Sequence, residues 1–389
     1  MKRQNRIAGL IAGAVALALG VTTQAAAETL TIGIVSATTG PLAAPGKFQL
    51  NGFKLAAEEV NSKGGVTIGG KTYKVELKIY DTHCNAAAGA SAMQRLASVD
   101  RVPVVLGELC SSVAAAEAPI AKDFKVPLIL TVPTGPSPPR GGNPYLFRVN
   151  SHAALLNKGL AAFMAAKGWS PIAYIAWNND AGRGGVRTLG AQLPKSIKNA
   201  YTGYFNVGEV DFSSHISNIR AKDAKAVVLL MDEEPGSLAI KQIRASGLKI
   251  QLIGTLAMGS NRFLKRLDKK TIAGMVQYSA FPPKADVPRI KNFSARYEKK
   301  YGEEAHGFAA QSYDGLMIAL AAMRKAGTVS DRGKIRDALA SMDYTGVMGR
   351  IKFDKKGQAS PPVYITEWCN NGTRKILAPA DAKAGCGSG

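Results

Sequence analysis

Short apolar runs alternate along this chain with stretches of helical spacing. Residues 29–35 form an apolar run that reads as a strand. Over 48–61, Phe48, Phe53, Ala56, Ala57 and Val60 recur at helical spacing, and Lys63-Gly64-Gly65 stops the pattern. The alternation over 73–80 predicts a strand, 86–98 a helix, 102–106 a strand, 113–124 a helix and 126–132 a strand. The series restarts after Arg148, with a helix over 152–167, a strand over 172–177 and a helix over 182–193. Further strands are expected at 201–205, 226–231, 250–256 and 275–281, with helices around Ile216 and Ile240. Helices over 288–301 and 306–325 and a strand over 363–369 complete the series. Short strands separated by helices imply right-handed βαβ units and mostly parallel sheets. The expected class is α/β, with two doubly wound, Rossmann-like lobes. The first half is short of helices, so the late ones cover its sheet and the chain recrosses between lobes. The boundaries expected are 1–27 for a leader, 28–149 with 282–358 for one lobe, and 150–281 with 359–389 for the other.

The most informative point is the run Cys110-Ser111-Ser112, where a buried strand hands over to a helix. Free backbone N–H groups and the positive end of the helix dipole attract an anion there. At the carboxyl edge of an α/β sheet, that turn suits a ligand carboxylate. The plainer reading makes Ser111 an N-cap. Thr134 ends the next strand within Thr131-Val132-Pro133-Thr134-Gly135-Pro136, beside Ser111, either to share a ligand's polar head or as part of an ordinary turn. In the second half, Asp232-Glu233-Glu234 and Trp177-Asn178-Asn179-Asp180 each end a strand. The acids either meet a ligand ammonium or favour the helix that follows. Phe308 is core or an apolar lid.

Residues 1–27 read as an export signal: Lys2, Arg3 and Arg6, an apolar stretch over 7–21, then Ala25-Ala26-Ala27. The formal charge of +22 is spread along the chain. With export, that argues against nucleic acid and for anionic solutes or an anionic envelope surface. The four cysteines suit disulfides in an oxidising compartment. Cys84 and Cys110 emerge at one sheet edge and make a natural pair, which leaves Cys369 with Cys386.

Residues 65–72 match the phosphate-loop pattern letter for letter, but a helix precedes them and a strand follows, so they read as a glycine-rich reversal. A hydrolase built on Cys110 or Ser111 would need a positioned base, with His83 the candidate. A disulfide abolishes the cysteine route, and no nucleophile elbow is present. Neither a metal site nor a cofactor is expected, since the chain has 4 His and its cysteines suit disulfides.

Taken together, the motifs resemble the periplasmic leucine/isoleucine/valine-binding proteins of ABC importers. The resemblance rests on Thr39-Gly40-Pro41, Asn61-Ser62-Lys63-Gly64-Gly65, Tyr80-Asp81-Thr82-His83-Cys84 and Gly107-Glu108-Leu109-Cys110-Ser111-Ser112. It implies a type I binding-protein fold with three crossovers, closure about a hinge and a Cys84–Cys110 bridge. It also implies a carboxylate held at Ser111, with Leu109, Cys110 and Ser112 around it, and Thr134 and Phe308 nearby. Leu256 stands where the family places its ammonium-binding glutamate, and Pro45, Ala181 and Glu233 fall near its aromatic wall. Either Asp180, Asp232 or Glu233 replaces the lost acid, or the ligand has no ammonium. The expected function is a periplasmic solute-binding component that holds a branched-chain amino acid or a related small carboxylate, aromatic ones included, in the interlobe cleft and delivers it to an inner-membrane permease. It would act as a monomer and without enzymatic activity. A periplasmic sensor subunit is the alternative.

Overall fold

Alternating strands and helices bury apolar faces on both sides of two sheets. The computed structural model describes residues 27–135, 142–259, 261–285, 287–378 and 385–386. The expected leader, except Ala27, and Pro136 of the Thr134 turn lie outside the described residues. The first lobe runs β1 (Glu28–Ser36), α1 (Ala43–Ser62), β2 (Val66–Ile68), β3 (Lys71–Asp81), α2 (Ala86–Ser98), β4 (Val105–Gly107), α3 (Ser111–Asp123), β5 (Leu128–Leu130) and β6 (Leu146–Arg148). The second runs α4 (Ala153–Ala166), β7 (Ile172–Trp177), α5 (Asp180–Gly190), β8 (Asn199–Phe205), α6 (Ser213–Ala221), β9 (Ala226–Leu230), α7 (Glu233–Ala245), β10 (Gln251–Gly254), α8 (Asn261–Arg266), α9 (Lys269–Ile272) and β11 (Val276–Ser279). The chain then returns to the first lobe for α10 (Pro288–Tyr301), α11 (Gly307–Ala326), α12 (Arg332–Ala340) and the hairpin β12 (Asp343–Gly346) and β13 (Gly349–Lys352). β14 (Tyr364–Trp368) and β15 (Arg374–Ala378) close the second sheet. Three crossovers therefore join two doubly wound lobes.

The first sheet has the order β2-β3-β1-β4-β5-β6 and the second β15-β14-β11-β10-β9-β7-β8. Pairing is parallel except at β2–β3, β11–β14 and β14–β15. The order reverses between β1 and β4 in one lobe and between β7 and β9 in the other. Such switch points open a crevice at the carboxyl edge of a sheet.

Helix α11 lies along α1 closely enough that a Cβ on Gly52 would come within 2.1 Å of the Ala309 carbonyl oxygen. This is the late helix covering the early sheet. Arg332 of α12 ties the same lobe together, donating to Val102 O and Ala97 O at 2.7 and 2.8 Å. The glycine-rich segment at 65–72 is the β2–β3 reversal, with Ile68 opposite Lys71. Its two turn glycines, Gly69 and Gly70, take φ of +56° and +84°.

Several boundaries differ from the sequence reading. The strand expected to reach 256 stops at Gly254, and Leu256 opens a 3-10 turn, Leu256–Gly259. Helix α5 starts two residues early, because the Asn179 side chain accepts from Gly182 N at 2.9 Å. Ser111 is not an N-cap: the helix begins on it, with Cys110 in the cap position. β6, α12, β15 and the β12–β13 hairpin had no sequence signal strong enough to predict them. Cys84–Cys110 and Cys369–Cys386 are both disulfides, and none of the described cysteines is free. No helix among the described residues is long and apolar enough to cross a membrane.

Candidate functional site

The carboxyl edges of the two sheets face each other across a cleft that opens in part to solvent. On the first lobe its wall is the β4–α3 turn. Glu108 fixes that turn from below: its Oε1 accepts from Leu109 N at 2.7 Å and Cys110 N at 3.1 Å. Gln49 of α1 donates to Glu108 O and to Thr131 Oγ1, both at 3.0 Å, and so binds the ends of β4 and β5 together. The first intrahelical bond of α3 is Ala114 N to Cys110 O at 3.0 Å. The N–H groups of Ser111, Ser112 and Val113 precede it, as at any helix start. Leu109, Cys110, Ser111 and Ser112 all line the cleft.

The neighbouring wall is the loop after β5. Ser111 Oγ accepts from Gly135 N at 3.1 Å, and Thr134 and Val132 line the cleft beside it. The fully buried Arg148 donates to the Gly135 carbonyl at 3.1 Å, and Asn150 donates to Val132 O at 2.8 Å. Sequence reading missed both. Arg148 sits at the end of β6, a three-residue strand too short to leave a periodic signal.

The second lobe presents successive strand ends: Trp177 at the end of β7 and Asp180 after it, Met231 and Asp232 after β9, Thr255 after β10, and Tyr278 on β11. Asp180 Oδ2 is shut off from solvent and has no hydrogen-bond partner among the described residues. A Cβ built on Gly135 would meet Asp180 Oδ2 at 2.7 Å and Ser111 Oγ at 2.9 Å. The two groups thus face each other across the interlobe gap, where no side chain fits on Gly135. Asp232 occupies the cap position of α7, but its carboxylate caps nothing, and burial pushes it up to about 6. Tyr278 is 7% exposed and has no hydroxyl partner among the described residues, and burial holds its phenol protonated. Trp177 stacks on Phe205 at 4.7 Å, and its indole Nε1 is buried without a partner among the described residues. No Lys, Arg or His is among the described lining residues.

Of the residues singled out from sequence, Leu109, Cys110, Ser111, Ser112, Thr134, Asp180, Asp232 and Phe308 line this one cleft. Pro45 and Ala181 line it as well. Glu233 does not: it lies in an adjoining recess with Glu234, Arg266 and His306, which shares Pro45, Asp232 and Phe308 with the main cleft. It starts α7 there, in the first turn, where a carboxylate is favourable. The Leu256 side chain lies outside the described residues. Phe308 is partly buried, edge-on to His306 at 4.5 Å. Tyr278, Thr255 and Asn157 were missed, because nothing in the local sequence sets them apart from core or helix-surface positions.

Two other groups bear on the chemistry. His83 Nδ1 pairs with Thr39 Oγ1 at 2.7 Å and lies 3.2 Å from Asp81 Oδ2. Burial disfavours the charge on Asp81, but bonds from Thr39, His83 N and Thr38 N outweigh it and hold the carboxyl well below its usual range. The histidine is thus engaged by Thr39 and Asp81, and the sulfur of Cys110 is in a disulfide. Beneath the turn, Glu117 of α3 is fully buried, and neither carboxylate oxygen has a partner among the described residues. Burial, then the neighbouring charge of Glu108, pushes it well above the carboxylate range. Glu108 is raised by burial too, despite its two backbone bonds.

Residues 29–373 match the family model described as periplasmic binding protein. An amino acid binding protein of Pseudomonas aeruginosa is 27% identical over 376 residues, covering 94% of this chain and 96% of the relative. The Leu/Ile/Val-binding protein of Escherichia coli is 25% identical over 370 residues, covering 94% of this chain and 97% of the relative. The fold matches a branched-chain amino acid transporter substrate binding protein of Streptococcus pneumoniae solved with isoleucine. The TM-score is 0.81 at 24% identity, over 90% of this chain and 100% of that one. It matches equally an ABC transporter solute binding protein of R. palustris solved with benzoate, with a TM-score of 0.81 at 19% identity over 92% and 97%. With that match running through nearly all the described residues, and with two facing switch points around one cleft, the chain belongs to the periplasmic binding protein family.

Proposed function

We propose that this chain is the solute-binding component of an ABC importer, exported by a cleaved leader over 1–27, and that it takes a small carboxylate-bearing solute between its lobes. The observation that carries this reading is Ser111, the first residue of α3, lining the cleft with its helix N-terminus. An anion there gains backbone N–H donors and the helix dipole. The buried guanidinium of Arg148, bonded to Gly135 O behind the same corner, adds positive potential. Leu42, Pro45, Leu109, Leu156, Ala257 and Phe308 give the remaining wall an apolar character suited to a small organic body.

We take the lobes as 28–149 with 282–358 and 150–281 with 359–389. They close about the three crossovers once the solute bridges the β4–α3 turn and the second-lobe wall. The closed monomer then presents both lobes to a membrane permease. Transport, not turnover, is the role. The disulfide of Cys110 removes that thiol as a nucleophile, and His83 is engaged by Thr39.

Calorimetric titration of the exported protein with amino acids and aromatic carboxylates tests the reading. Ser111→Ala should weaken a carboxylate ligand by about 10- to 100-fold, the range for losing one charge-assisted hydrogen bond. Unchanged affinity would remove Ser111 from the site.

A further inference from the structure

The second-lobe wall says more about the solute than the first. Its charged members are two carboxylates, Asp180 and Asp232; the described lining of the cleft supplies no cation, and Asp232 also borders the recess that holds Arg266 and His306. Buried polar groups in folded proteins are nearly always hydrogen-bonded. Here Asp180 Oδ2 is excluded from solvent without a partner among the described residues, and the nine-tenths buried Tyr278 lines the same cleft. Asp180 also stands directly across the Gly135 corner from Ser111 Oγ. A solute carboxylate docked at Ser111 therefore meets a second carboxylate at short range. Two like charges so placed oppose closure unless a cation lies between them.

Resting on the site reading above, we propose that the solute is a zwitterion: its carboxylate meets the Ser111 turn, and a positively charged nitrogen next to it is received by Asp180, with Asp232 behind. Tyr278 orients the bound solute as a neutral donor or acceptor. The ammonium acceptor thus comes from the α5 start, after β7, and not from the 3-10 turn after β10 that holds Leu256. Asp180 and Asp232 stand beyond the ends of paired strands, since Ala176 of β7 is opposite Leu230 of β9. They form one acidic face at the second lobe's switch point. Simple monocarboxylates such as benzoate satisfy the Ser111 turn but leave that face unpaired.

The test uses the full exported chain and paired probes: L-leucine, L-phenylalanine and L-arginine against 4-methyl-2-oxopentanoate, phenylpyruvate and benzoate. Trp177 in the cleft gives a fluorescence signal beside calorimetry. At least one zwitterion should bind about 100-fold more tightly than its oxo acid or than benzoate. Asp180→Asn should weaken that zwitterion by about 30-fold or more, and Asp180→Glu should recover part of the loss. Asp232→Asn should cost it about 10-fold and Tyr278→Phe less. Melting curves check that each variant is folded. The proposal is overturned if the oxo acids or benzoate bind as tightly as the zwitterions, or if Asp180→Asn leaves the zwitterion unaffected. It is overturned equally if no zwitterion binds at about 10 mM. The two readings separate cleanly. If benzoate binds, weakens in Ser111→Ala and tightens in Asp180→Asn, the site stands and the zwitterion fails. If a bound probe ignores both substitutions, the site itself is wrong.

Discussion

At the scale of single residues, the β4–α3 turn is held by Glu108 and Gln49. Glu108 takes up the Leu109 and Cys110 amides, and the next three N–H groups, on α3, precede the first intrahelical bond. That arrangement puts a carboxyl beneath the turn, and Glu117 adds a second with no partner among the described residues. Both are raised above their ordinary range by burial. A raised acid binds its proton more tightly when folded than when unfolded. Its folded-state advantage is therefore complete below the ordinary carboxylate range and declines as pH rises through and above it. Glu117→Gln should remove that decline, whose slope reaches about 1.4 kcal/mol per pH unit for one group. Urea melts between pH 5 and pH 8 should show the variant gaining on the wild type as pH increases. Parallel curves would mean that Glu117 is ionised in the folded chain.

At the scale of elements, the Cys84–Cys110 bridge joins the loop after β3 to the start of α3 across a 26-residue separation. It restrains the β4–α3 turn and reduces the freedom of the unfolded chain. Replacing both cysteines with alanine should lower stability by about 3 kcal/mol. The check is the shift in denaturation midpoint, and an equal midpoint with and without the bridge would show that packing alone fixes the turn. The second bridge, Cys369–Cys386, follows β14 and lies away from the cleft, so its removal should leave ligand affinity unchanged.

At the scale of the whole molecule, the proposed function depends on two lobes that meet around the cleft. Ser111, Gly135 and Asp180 make one such meeting, with Gly135 bare because any side chain there would collide with both partners. Closure on a solute should reduce the radius of gyration in solution scattering. Saturating ligand should also raise the melting temperature by mass action, about 2.7 kcal/mol at a hundredfold excess over Kd. A ligand that stabilises without compaction would mean that the lobes are already closed when empty.

The amino-acid sequence alone determined the alternation of strands and helices, the two-lobe α/β class, the strand-to-helix handover at Ser111 and both cysteine pairings. Those features are local: periodicity sets which face of an element is apolar, and a strand-to-helix handover exposes amide groups wherever it occurs. It left Asp180, Asp232 and Glu233 equivalent, since each follows or ends a strand. Only the tertiary structure separated them, turning Asp180 toward Ser111 and Glu233 into a side recess. It also brought in Tyr278 from the middle of an apolar run and Arg148 from the last strand of the first sheet. A site assembled from strand ends far apart in sequence is decided by sheet order and lobe packing. Those are long-range contacts, and no window of neighbouring residues records them.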